Sequence, residues 1–220
     1  MNGRIIVDHI SKSFGDAQVV KNVNLTMDDG KIYGLVGRNG SGKTVLMKII
    51  CGFLLPTTGT VTVSEKKIGV DVDFAPNTGV IIETPAFLNY LSGMDNLINL
   101  ARIKKKLGRK EIEEVMILVG LDPASKKHVG KYSLGMKQRL GIAQAIMEDP
   151  DILILDEPMN GLDEDGIALV RDILLERKKQ GKCIILASHN REDIEILCDE
   201  VYQMVKGELI IKTGNEAQGR

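Results

Sequence analysis

No stretch of the 220-residue sequence approaches the roughly 18 consecutive apolar residues that a membrane-crossing helix needs. The opening residues, MNGRIIVDHI, lack the apolar core of a secretory leader. Any membrane role is therefore expected to come through a partner. Neither sign of charge is in excess: 29 Lys and Arg stand against 30 Asp and Glu, a net charge of -1. That balance gives no global attraction to nucleic acid or to an anionic bilayer. Cysteine is scarce. Cys51, Cys183 and Cys198 are odd in number and match no metal-ligand spacing, so reduced thiols in a cytoplasmic protein are expected. Repeats, low-complexity tracts and Pro/Ser-rich linkers are absent, and 43% apolar with 27% charged residues is the balance of a soluble globular chain. The length suits one good-sized domain, or two lobes sharing a core. The tail NEAQGR is expected to fray.

What is present is alternation. Short β-branched runs recur as RIIVDHI, NLTM, KIYGLVG, GTVTV, TGVIIE, DILILDE, KCIILAS and VYQMVKGELII. Helical patterns fall at Thr44 to Cys51, Gly93 to Lys106, Lys110 to Val119, Leu134 to Glu148, Glu164 to Gln180 and Glu192 to Leu197. Strands alternating with helices predict an α/β fold with a mainly parallel sheet covered by helices. DILILDE and KCIILAS are continuously apolar, as expected of strands buried on both faces. The first strands have few helical residues between them and predict a small antiparallel lobe. From about Thr84 to Asp149 the pattern is nearly all helix.

The strongest local signal is GLVGRNGSGKT. Gly37, Gly42, Lys43 and Thr44 fit G-x-x-x-x-G-K-[ST] between a strand and a helix. Glycines let backbone N–H groups curl around phosphate oxygens, and the helix N-terminus adds its positive dipole end. The expected phosphate-contacting set is Gly37, Asn39, Gly40, Ser41, Gly42, Lys43, Thr44 and Val45, with Lys43 on the β- and γ-phosphates and Thr44 on Mg²⁺. DILILDEP puts Asp156 and Glu157 at the C-terminal end of an apolar strand, the edge where open α/β sheets bind ligands. One carboxylate, Asp156, suits the Mg²⁺ that accompanies the phosphates; the other, Glu157, suits a general base for water. IILASHN ends a further strand at His189, which would share that edge and hold the γ-phosphate and the glutamate in place. A lone histidine is more often structural; its company argues otherwise here.

These residues resemble the ATP-binding-cassette family, the nucleotide-binding subunits of ABC transporters, from about Ile5 to Gly207 and with the motifs in the family's order. GRNGSGKT looks like its Walker A loop and ILILDE like its Walker B strand. NGLD, with Asp163, is similar to its D-loop, and His189 to its switch histidine. YSLGMKQR looks like the family signature, usually LSGGQ followed by x-Q-R; Ser133 and Gly135 remain, while Leu134 and Met136 depart from it. Read alone, Ser133 is an ordinary helix N-cap. Phe14 stands where the family places an aromatic that stacks on adenine. Where the family usually has a glutamine ahead of the helical lobe, this chain has Glu83. A glutamate there is expected to approach Mg²⁺ or water, to add negative charge beside a triphosphate, and to sharpen the dependence on Mg²⁺ and pH.

The resemblance implies a P-loop NTPase of ABC type: a catalytic core with an antiparallel β lobe over 1–83 and 150–220, and an inserted helical subdomain over 84–149. It implies ATP and Mg²⁺ as ligands, and head-to-tail pairing with a second ABC subunit, identical or different, so that Ser133 of one reaches the ATP held by the other. Asp163 would lie at that contact. The implied location is peripheral, on the cytoplasmic face of the cell membrane, held by an integral membrane permease that docks on ETPAFLNYLSGMDNL. The basic run Lys104, Lys105, Lys106, Arg109 and Lys110 is a solvated helix face or a contact for acidic headgroups. IIETPAF with YSLGMKQRLGIA resembles a bacterial subgroup that exports antibiotic or lantibiotic peptides and related drugs. A non-transport relative acting on nucleic acid or ribosomes is the alternative. It would bring a long coiled-coil insertion or a second cassette, and neither is seen, so no nucleic-acid partner is expected.

Overall fold

In a computed structural model of the chain, which describes residues 5–83, 85–104 and 107–212, two sheets share one helix between them. The boundary residue Thr84, Lys105 and Lys106 of the basic run, and the tail 215–220 lie outside the described residues. The first sheet is antiparallel: β1 (Ile5–Phe14) pairs with β2 (Ala17–Met27) and β4 (Thr58–Val63), and β4 with the short β5 (Lys66–Lys67). The second contains β3 (Ile32–Val36), β6 (Thr78–Ile81), β7 (Ile152–Asp156), β8 (Cys183–Ala187), β9 (Glu200–Val205) and β10 (Glu208–Lys212), in the order β10-β9-β3-β8-β7-β6. Its pairs are parallel except β9 with β10. VYQMVKGELII thus divides into a hairpin, because Lys206 and Gly207 both adopt positive φ and turn the chain.

The alternation of the central strands sorts the core into two layers. Ile152 and Ile154 of β7, with Cys183, Ile185 and Ala187 of β8, face α1 (Lys43–Cys51) and the antiparallel sheet. Leu153, Leu155, Ile184 and Leu186 face the opposite layer, built from α4 (Leu134–Ile146), α5 (Glu164–Lys179) and α6 (Arg191–Leu197). Both faces are covered, which is why these strands read as unbroken apolar runs. Each fully buried Ile or Leu contributes about 1.5–3 kcal/mol. The three thiols are unpaired, and burial pushes each up to about 12.

Three helices, α2 (Gly93–Lys104), α3 (Arg109–Leu118) and α4, with a 3₁₀ turn at Val129–Lys131, form the segment between β6 and β7. The sequence pattern places the first of these helices from Gly93, where α2 starts, and residues 85–92 ahead of it carry no helix. Asn96, buried inside α2, ties that segment down. Its amide accepts from Leu88 N–H (2.8 Å) and donates to Leu88 O (3.1 Å), so it satisfies the backbone of an irregular segment from within the helix. Ser92 then opens α2 by accepting from Asp95 N–H (3.1 Å). Among the described residues no helix is long and apolar enough to cross a membrane.

Candidate functional site

Strand β3 stops at Val36, and the chain turns through residues 37–42 into α1. Glycine is required at two points of that turn. A Cβ on Gly37 (φ 156°) would meet Met204 O at 2.5 Å, and one on Gly42 (φ 107°) would meet Val19 O at 2.7 Å. Gly42 caps α1 without a side-chain acceptor, which leaves first-turn N–H groups for an external anion. Lys43 Nζ folds back to donate to the Gly37 and Arg38 carbonyls, at 2.7 and 3.3 Å. Ser41 Oγ is buried without a hydrogen-bond partner among the described residues. Spare donors, a cation at their centre and an unsatisfied hydroxyl suit a cradle for phosphate oxygens.

The acids stand across from this loop because β7 and β8 run parallel in register, Asp156 opposite Ala187. Thr44 Oγ1 donates to Asp156 Oδ2 at 2.9 Å. A hydroxyl and a carboxylate that already meet are the hard oxygen donors a Mg²⁺ ion would take, so the residues fit that ion. One residue on, Glu157 adopts φ 51° and its N–H donates to Ala187 O (2.9 Å), which lifts its side chain off the strand end. Its Oε2 lies 2.8 Å from His189 Nδ1 and 3.4 Å from His189 N. His189 is open to solvent while Glu157 is largely covered.

A cleft of about 530 Å³ joins these groups. Of the residues expected from sequence, Asn39, Gly40, Ser41, Gly42, Lys43, Thr44, Val45, Glu83, Asp156 and Glu157 line it. His189 adjoins it through Glu157, and Gly37 lies behind the loop. Phe14 is not in the lining. It projects half-exposed from the end of β1 with Lys12 Nζ 5.2 Å from its ring centroid, while Val19, on the paired strand, does line the cleft. Glu83 brings its charge with a partner: Lys48 Nζ sits 2.6 Å from its Oε1. From sequence, Glu83 counted as uncompensated. The difference arises because Lys48 lies in the last turn of α1 and reaches the end of β6, 35 residues on.

Ser133 and Gly135 lie at the start of α4, outside the cleft. Ser133 Oγ accepts from Met136 N–H at 3.2 Å as the N-cap, and remains exposed. Leu134 lines the cleft and sits against Gly161, where an added Cβ would come within 2.4 Å of it. Asp163 caps α5 by accepting from Gly166 N–H (3.0 Å) and pairs with Arg139 (2.9 Å). Those two bonds, the backbone one first, hold its carboxyl below the usual range. Sequence reasoning placed Gln138 in the signature stretch and Asn160 at the start of NGLD but gave neither a role in the cleft, which both line. Gln138 Nε2 donates to Pro158 O (3.0 Å) and Glu157 O (3.4 Å), so it pins the backbone that carries the acid. Its sequence signals are its place in YSLGMKQR and a polar residue at a helix position between buried ones.

The family described as ABC transporter matches residues 20–160. An uncharacterized ABC transporter ATP-binding protein of Bacillus subtilis, YybJ, is 44% identical over 93% of this chain and 94% of its own length. The bacitracin transport ATP-binding protein BcrA of Enterococcus faecalis is 41% identical over 94% of this chain and 68% of that protein. Among solved structures, an ATP-binding subunit of an ABC transporter superposes with a TM-score of 0.85 at 26% identity, covering 95% of this chain and 89% of that one.

Proposed function

The chain belongs to the ABC transporter family, and from that membership we propose that it hydrolyses ATP to ADP and phosphate to drive export through a separate membrane subunit. The observation that carries this reading is the meeting of Lys43, Thr44, Asp156, Glu157 and His189 at one edge of the parallel sheet. The loop N–H groups and Lys43 hold the triphosphate. Glu157 accepts the proton of the attacking water, and His189 orients Glu157 from the side. Thr44 and Asp156 would hold Mg²⁺, with Glu83 nearby, and the ion would supply positive charge against the phosphate oxygens. Phe14, half-exposed at the end of β1 and outside the phosphate cleft, is left for the adenine to stack on.

The working unit is a head-to-tail pair of cassettes, in which Ser133 and Gly135 of one subunit complete the ATP site of the other. Exposure of the α4 N-terminus and of Ser133 supports this. ATP then favours the closed pair, and hydrolysis removes that preference. The helical subdomain, 84–149, transmits the closure to the membrane subunit. Support comes from a second groove, about 500 Å³, between β6 and the helices, lined by Phe53, Pro85, Leu100, Ile103 and Gly141. Held by that subunit, the protein works on the inner face of the cell membrane. The 41% identity to a bacitracin transport protein supports a peptide antibiotic or related drug as cargo. The decisive experiment is Glu157→Gln with saturating ATP and Mg²⁺. Light scattering is expected to show a stable dimer with negligible phosphate release; a variant that stays monomeric overturns the head-to-tail mechanism.

A further inference from the structure

Glu83 presents a negative charge to a cleft built for anions. In the described structure that charge is not open: Lys48 Nζ lies 2.6 Å from Oε1, and no other cation among the described residues is within ion-pair distance of it. Lys43, on the same helix, is turned to the Gly37 and Arg38 carbonyls. The pair is an unpromising stabiliser of the fold. Its side chains are 32% and 64% exposed, and such surface pairs contribute little. It is also held on a backbone that disfavours it, since Glu83 adopts φ 63°, the left-handed region that side chains other than Gly, Asn and Asp seldom occupy. Strain of this kind concentrates at functional positions. Lys48 lies in the last turn of the helix opened by the phosphate loop, and Glu83 stands two residues past β6. The bond therefore ties the phosphate-loop helix to the point where the chain leaves the sheet for the helical segment.

We propose that Lys48 is a positioning residue for Glu83, and that it sets the charge which position 83 presents to nucleotide phosphates. Paired, the two are neutral as a unit, and Glu83 faces the phosphates as an uncharged amide would. Without Lys48 the carboxylate stands bare in the cleft and repels them. The effect of Lys48 runs through Glu83. With a glutamine at 83 nothing holds the ammonium toward the cleft, and the long stem carries it into water.

The inference rests on the reading that the cleft binds ATP, and the experiment separates the two. Equilibrium binding of ATP to the full chain is measured in EDTA, so that no metal contact of Glu83 enters, with thermal unfolding of each variant as the folding control. Lys48→Met is expected to weaken binding about fivefold at about 0.01 M ionic strength and less at 0.15 M, as screening of a surface charge requires. Lys48→Arg is expected to restore binding. Glu83→Gln, an isosteric change, should bind within about twofold of the unaltered protein, and adding Lys48→Met to it should change nothing further. Equal weakening by Lys48→Met in both backgrounds overturns the proposal, as does a large tightening by Glu83→Gln alone, which would mean its charge had never been neutralised. Failure of the unaltered chain to bind ATP, with or without Mg²⁺, overturns the nucleotide reading as well.

Discussion

At the scale of single residues, the arrangement around Glu157 separates binding from chemistry. The phosphate loop supplies backbone N–H groups and Lys43, whereas among the described residues the His189 ring pairs with Glu157, 2.8 Å from Oε2. His189→Ala is therefore expected to leave the Kd for ATP unchanged and to lower kcat by about 10²–10³-fold, within the range for a positioned acid–base group. Single-turnover phosphate release beside equilibrium ATP binding checks this, and a parallel loss of affinity would move His189 out of the chemical step. The same scale shows where a sequence can mislead. Glu83 reads as an added negative charge, but its effect depends on Lys48, which no local pattern connects to it.

At the scale of elements, the start of α4 has one observed role and one proposed role on a single side chain. Ser133 caps the helix, and its exposure leaves it free for a second molecule. Substitution separates the two. Ser133→Ala removes the cap and is expected to cost about 1 kcal/mol of stability, read from thermal unfolding. Ser133→Asp keeps the cap and suits the helix dipole, so stability should hold or rise. Its charge would nevertheless oppose a γ-phosphate, so ATP-driven dimerisation should be lost in a Glu157→Gln background. If Ser133→Asp still dimerises with ATP, the serine is a cap and nothing more. The ties of this helix reinforce the point: Gln138 holds the carbonyls of Glu157 and Pro158, and Arg139 holds Asp163, so α4 packs on both the acid-bearing turn and the head of α5.

At the scale of the whole molecule, two clefts lie on different sides of the junction between sheet and helices. One gathers the phosphate loop and the acids; the other is apolar, with Phe53 53% and Ile103 78% exposed and Phe53 meeting Phe74 edge-on at 6.0 Å. Exposed apolar groups of this size rimmed by polar residues mark contact surfaces. Phe53→Ser combined with Ile103→Ser is expected to reduce co-purification with the proposed membrane subunit at least about tenfold, since two anchors at about 1 kcal/mol each suffice. ATP binding should be unchanged. Retention of the membrane subunit by this variant would move the docking surface elsewhere.

The sequence by itself determined the alternation of strands and helices, the glycine loop, the paired acids and the capping serine. Each is encoded within a few neighbouring residues, through φ requirements, periodicity or N–H satisfaction. Only the tertiary structure decided what those pieces meet. A buried Asn96 takes up the N–H and C=O of Leu88 in the irregular segment ahead of α2. Gln138 reaches the carbonyls behind Glu157, and Val19 rather than Phe14 lines the cleft. Lys48 cancels the charge of Glu83 across 35 residues of chain. These are contacts between distant segments, set by how the two core layers pack, and local patterning carries no record of them.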